Sequence, residues 1–208
     1  MNTLKGWIAA SELSEQLKSD PDYQARIRQR DAAVDAALAR TRDEEKPILE
    51  ALRNIGIDVE MISSQHLKSK LNREAIDILM KHLTLPYSDA TRESLARALD
   101  TKLSQKYWST LIDEYRNENV ESEDDIRSGY KDGLAWTLSR IVSLDKLDDY
   151  IELVRNRKNG SSRILLLSAL RRSRDPRARQ ALEDLADDPD LRKEIAAWKK
   201  RQEKKLVR

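Results

Sequence analysis

Few residues of this 208-residue chain have the type and spacing that chemistry needs. The two histidines, His66 and His82, are 16 positions apart with no HExxH or comparable ligand spacing, so no metal centre is expected of them. Cysteine is absent, which removes thiolate chemistry, disulfides and Cys-based zinc sites. Phosphate-loop, dinucleotide and nucleophile-elbow patterns do not occur. Carboxylates are plentiful, but Asp124-Asp125 and Asp148-Asp149 fall at expected helix starts, where capping accounts for them. The residues therefore predict no catalytic constellation, no metal and no cofactor.

The remaining candidates are binding residues. Arg171, Arg172, Arg174, Arg177 and Arg179 surround the dipeptide Asp175-Pro176. If that dipeptide is a turn, the guanidinium groups form a basic rim, either a solubilising edge or an anion-binding patch for phosphates or acidic side chains. Gly129 and Gly133 lie on one face of an expected helix, and each costs that helix about 1 kcal/mol relative to Ala. Something must approach that face closely: a neighbouring helix, or a partner reaching a groove floor beside Lys131 and Trp136.

The elements that must hold these residues are helices. Charged residues make up 37% of the chain, aromatic residues only 5%, and Phe is absent, a balance that favours helices over sheet. The organising stretch is residues 161–197. Ile164, Leu166, Leu167 and Leu170 give a helix buried on most sides. Asp175-Pro176 stops it and starts the next, since Asp caps well and Pro at the first helical position loses no bond. Asp188-Pro189 repeats the device. Between the two, Ala178, Ala181, Leu182, Leu185 and Ala186 form a small-residue stripe suited to close packing.

Upstream, residues 4–19 predict a short amphipathic helix carrying Trp7, Ile8, Leu13 and Leu17. Asp20-Pro21 starts a longer helix, to about Arg42. Its narrow apolar stripe (Tyr23, Ile27, Val34, Leu38) fits a helix lying along one side of the molecule. Pro47 reads as a break or fresh start, and Gly56 as a helix stop. Residues 57–70 read as an extended piece and a short helix. From Asn72 the helices come in pairs, whose first members start near Asn72, Ser104, Asp145 and Asp175. Spacings of 32, 41 and 30 residues, each holding a helix pair, are the signature of an α-solenoid.

The segments ATRESLARAL, DPDLRKEIAA and above all SRILLLSALRRSRDPRARQALEDLADDP resemble HEAT-type repeats of the short bacterial kind, over about residues 72–200. In that family a turn Asp or Pro precedes a second helix that opens with an Arg. Asp89–Arg92, Asp125–Arg127 and Asp190–Arg192 match this pattern, whereas Arg163 follows Asn159-Gly160. The resemblance implies an all-α protein: a right-handed α-solenoid of about four HEAT-like hairpins at residues 72–208. An N-terminal helical lobe, residues 1–71, would pack on it. An Arg in a first turn opposes the helix dipole, so Arg92, Arg127, Arg163 and Arg192 should be held by Asp side chains or carbonyls of a neighbouring repeat.

Three function classes follow. HEAT-like proteins are mostly non-enzymatic scaffolds, which implies another protein as partner; a sharper version is an immunity or antitoxin protein covering a toxin domain. The alternative is nucleic-acid binding through the C-terminal basic rim. Residues 161–208 hold 14 basic against 8 acidic side chains, but the whole chain is only +2, and Glu121–Asp125 and Asp187–Asp190 would repel phosphates. Some DNA alkylation-repair glycosylases and bilin lyases also use HEAT-like repeats. The aromatic surroundings of a catalytic Asp are not found here, and the thiol for the second chemistry is missing. A short apolar start and no long apolar run lead to a cytoplasmic expectation, with no membrane partner and a monomer or weak homodimer.

Overall fold

The computed structural model describes residues 10–118 and 129–206, and side chains over 13–118 and 129–201. Among the described residues there are eleven α-helices, three short 3-10 segments and no strand. The first nine positions of the chain, the acidic stretch at 121–125 and the Asp125–Arg127 turn lie outside the described residues. None of the described helices is long and apolar enough to cross a membrane.

The chain divides into two compact units, residues 1–43 and 44–208. Helix α1 is Ala10–Ser19, and Asp20 accepts from the backbone N–H of Asp22 and Tyr23 to open α2, Pro21–Asn54, which continues past residue 43 into the second unit. Residues 28–40 are exposed on every face of α2, not on one side only. The break expected at Pro47 is not there, because α2 runs through it. Pro47 donates no backbone bond, but Ile48 and Leu52 just beyond it are fully buried and hold the helix in place. The stop at Gly56 is as expected. Ile57 N–H reaches back to Leu52 C=O and Gly56 N–H to Arg53 C=O, with Gly56 at φ 82 and Leu52 and Ile57 both buried.

The second unit is a succession of packed helices. Buried Ile57, Val59 and Ile62 lay the connecting segment down, and the buried Glu45 carboxylate accepts the Ile62 N–H at 3.2 Å. Helix α3, Gln65–Lys70, is capped by Ser64, and α4, Arg73–Leu83, by Asn72. Ile76, Leu79, Met80 and Leu83 of α4 point inward as their spacing predicts. Helix α5, Asp89–Ala98, is capped from a distance: Glu44 accepts from Ser88 N–H, Ser88 Oγ and Thr91 Oγ1. Then come α6, Trp108–Asn117; α7, Tyr130–Ile141; α8, Leu147–Arg155; α9, Arg163–Arg172; α10, Pro176–Asp184; and α11, Arg192–Leu206. Each of α4, α6 and α8 packs on the helix that follows it, while α5 packs on α7 and α7 on α9.

Two helix starts differ from expectation. Gly129 is not inside a helix but is the N-cap of α7, in extended conformation. Helix α11 begins at Arg192 rather than at Pro189, although Asp188 both accepts the Asp190 N–H at 3.0 Å and binds Arg163. Asp175 does cap α10, accepting the Arg177 N–H at 2.9 Å with Pro176 in the first turn. Ile164, expected inside, is 36% exposed, while Leu166, Leu167 and Leu170 are buried.

Candidate binding face

Helix α7 is the middle member of the α5–α7–α9 succession, and nine of its twelve residues are buried. Close approach of α5 explains its glycines. A Cβ on Gly133 would lie 3.1 Å from both Ala96 Cβ and the Glu93 carbonyl oxygen. One on Gly129 would lie 2.5 Å from a carboxylate oxygen of Asp89, which accepts the Tyr130 N–H. The approach made there is that of a neighbouring helix. Thr137 Oγ1 donates to the Ala96 carbonyl across the same contact.

What α7 leaves at the surface is one stripe at fourfold spacing: Asp132, Trp136 and Arg140. Trp136 is 36% exposed, and its indole N–H donates to Asp100 Oδ2 at 2.9 Å, which fixes the ring. Lys68 Nζ lies 2.9 Å from the same carboxylate oxygen. The guanidinium carbons of Arg97, from α5, and Arg140, from α7, each lie 5.9 Å from the Trp136 ring centroid. Arg97 is also bonded to Glu93 at 2.8 Å. Burial pushes the Asp132 carboxyl above its ordinary pKa, with the charge of Arg97 opposing the shift.

The residues singled out from sequence separate in space. Lys131 does not share the surface of Trp136. It is buried, donates to the Glu118 carbonyl at 2.7 Å and lies over the Tyr115 ring. Its ammonium is pushed below the ordinary lysine pKa by burial, against the pull of Glu118. Of the rim, Arg172 belongs with the α7 face, donating to the Ser139 carbonyl at 2.7 Å in the last turn of α7. Arg171 lies over Trp198, 4.7 Å from its centroid. Arg177 is held by Asp175 and Asp148, and its hydrogen bonds hold the Asp175 carboxyl below its ordinary pKa. Arg174 and Arg179 are exposed, and their side chains make no hydrogen bond or ion pair among the described residues.

Of the first-turn arginines, Arg163 is held as expected and Arg92 is held by glutamates rather than Asp, whereas Arg192 is exposed and its side chain makes no hydrogen bond or ion pair among the described residues. Arg163 is wholly buried and donates to Asp188, Asp190 and the carbonyls of Gly160 and Val154. Arg92 reaches Glu114 and Glu118 and stacks 3.7 Å over the Tyr130 ring. Arg97, Asp100 and Arg140 were not singled out by sequence. Arg140 had a signal, lying four residues after Trp136; Arg97 and Asp100 come from another helix and had none.

No group of three or more His, Cys, Asp or Glu that could hold a metal ion occurs among the described residues. No protein-family model, no curated protein and no solved structure matches the chain.

Proposed function

We propose that the chain is a non-enzymatic, protein-binding scaffold, a short right-handed α-solenoid of about four HEAT-like hairpins over residues 72–208. The pairing of α4, α6 and α8 with the helices after them, and the succession α5–α7–α9, support that arrangement. The observation that carries the binding role is Trp136, a large aromatic held in a fixed orientation by Asp100 yet left at the surface of the most buried helix. An immunity- or antitoxin-type binder is one form such a scaffold takes. The nucleic-acid alternative finds less support, because Arg171, Arg172 and Arg177 are engaged within the fold and Asp148 and Asp175 share the rim with them.

Affinity capture of the tagged full chain from its own cells, with and without nuclease, tests this reading. A protein that stays bound after nuclease treatment is the expected result. Recovery of nucleic acid alone, or of proteins that all leave with it, overturns it.

A further inference from the structure

We infer that the face around Trp136 receives an acidic segment of a partner protein, with an apolar side chain laid on the indole and a carboxylate on Arg140. The inference rests on the protein-binding reading and specifies the partner's chemistry. Its basis is the balance of charge around the ring. Lys68 is matched by Asp100, and Arg97 by Glu93. The Arg140 side chain has neither a hydrogen bond nor an ion pair among the described residues, and its guanidinium carbon lies 5.9 Å from the ring centroid. Arg172 at the same end of α7 donates to a carbonyl, which leaves its charge without a carboxylate.

A guanidinium presents donors in a flat fork that matches a carboxylate. The exposed indole beside it offers apolar area, already ordered by Asp100, so little side-chain freedom is lost on binding. A nucleic acid fits this face poorly, because Glu93, Asp100 and Asp132 stand around the same ring and would meet an unbroken line of phosphates. A peptide can set an acidic residue against Arg140 and neutral ones against those three carboxylates.

The experiment titrates the full chain with a labelled panel of short peptides alternating Glu and Leu, their Gln-for-Glu counterparts, and a single-stranded oligonucleotide of similar length. The Glu–Leu peptides should bind, and the Gln versions at least about tenfold more weakly, the loss expected for one charge-assisted contact. Arg140→Gln and Trp136→Ala should each weaken the Glu–Leu peptides by about tenfold or more, with Lys158→Ala as an exposed control without effect. Arg140→Gln is the deciding variant, since it alters an exposed side chain and leaves the packing of Trp136 in place. No binding of the acidic peptides, equal binding by Arg140→Gln, or tighter binding of the oligonucleotide each overturns the inference. A nuclease-resistant partner captured equally by wild type and Arg140→Gln would overturn this site and leave the protein-binding reading standing. Absence of any such partner would overturn that reading itself.

Discussion

The Arg163 guanidinium, wholly buried at the start of α9, lies 3.1 Å from Asp188 Oδ2, 25 residues further along the chain. One contact thus joins the start of α9 to the turn that follows α10. A buried charge left without its partner costs about 3–5 kcal/mol. Asp188→Ala leaves Arg163 with Asp190 as its remaining carboxylate, so it should destabilise the second unit by less, about 1–3 kcal/mol, read as a lower midpoint in urea. Replacing Arg157, which reaches the same carboxylate from the surface, should change stability by no more than about 1 kcal/mol.

The same carboxyl gives a pH dependence. Burial pushes the Asp188 pKa up, but hydrogen bonds from Arg163, the Asp190 N–H and the charges of Arg163 and Arg157 outweigh it and hold the group below its ordinary 3.8. A depressed folded pKa means that the unfolded chain takes up the proton first as the pH falls. The stabilisation is then complete above the ordinary value and is lost as pH falls through the lower, folded one. The stability gap between wild type and Asp188→Asn should be flat at neutral pH and close on acidification below about pH 4. A gap that instead widens there would refute the assignment.

Gly133 sets α5 against α7. Alanine in a helix interior gains about 1 kcal/mol over glycine, whereas overfilling a packed site costs about 1–3 kcal/mol. The atoms a Cβ would meet at 3.1 Å include the Glu93 carbonyl oxygen, which is backbone inside α5 and yields little. Gly133→Ala should thus be a net loss of about 1 kcal/mol by urea denaturation. A more stable variant would mean that the two helices are free to part.

The helices themselves were legible in the sequence wherever a local rule decides them. Asn72, Asp175-Pro176 and Gly56 act through neighbours within five residues, so type and spacing suffice. Pro47 misled because its local cost is overridden by the burial of Ile48 and Leu52, a tertiary fact. The same holds for the candidate site. Trp136 could be noticed, but its orientation comes from Asp100 and its charged surroundings from Arg97, 36 and 39 residues away on the chain. Lys131 was placed beside it from sequence adjacency. Five residues along a helix turn through about 500°, which carries Lys131 to the buried side facing Tyr115.

Leu166 is fully buried in α9, and its carbonyl accepts the hydroxyl of the buried Tyr150 at 2.5 Å. An aspartate there brings an unpaired charge into the core, among the largest effects a single substitution has. Leu166→Asp should abolish the cooperative thermal transition of the second unit, followed by circular dichroism at 222 nm. Ile164→Asp, two positions earlier but at the surface, should shift it little. Equal effects at the two positions would mean that α9 is turned differently about its axis.

The rim arginines divide into structural and open ones, and this separates the two functional readings. Replacing Arg171 and Arg172 together by alanine should cost about 1–2 kcal/mol, because one stacks on Trp198 and the other caps α7 at Ser139. Replacing Arg174 and Arg179 together should leave stability within about 0.5 kcal/mol of wild type, since neither has a bond to lose among the described residues. That second pair is therefore the clean probe of an electrostatic role. If the rim binds nucleic acid, affinity falls steeply with salt, and removing Arg174 and Arg179 flattens the slope by about two units. If the protein is a protein-binding scaffold, generic DNA or RNA binds no tighter than micromolar at about 150 mM salt, and the pair matters only for the association rate of an acidic client. The second outcome is expected, because the carboxylates of Asp148 and Asp175 lie among the rim arginines and already hold Arg177. Sub-micromolar binding that weakens when Arg174 and Arg179 are removed would decide for the first.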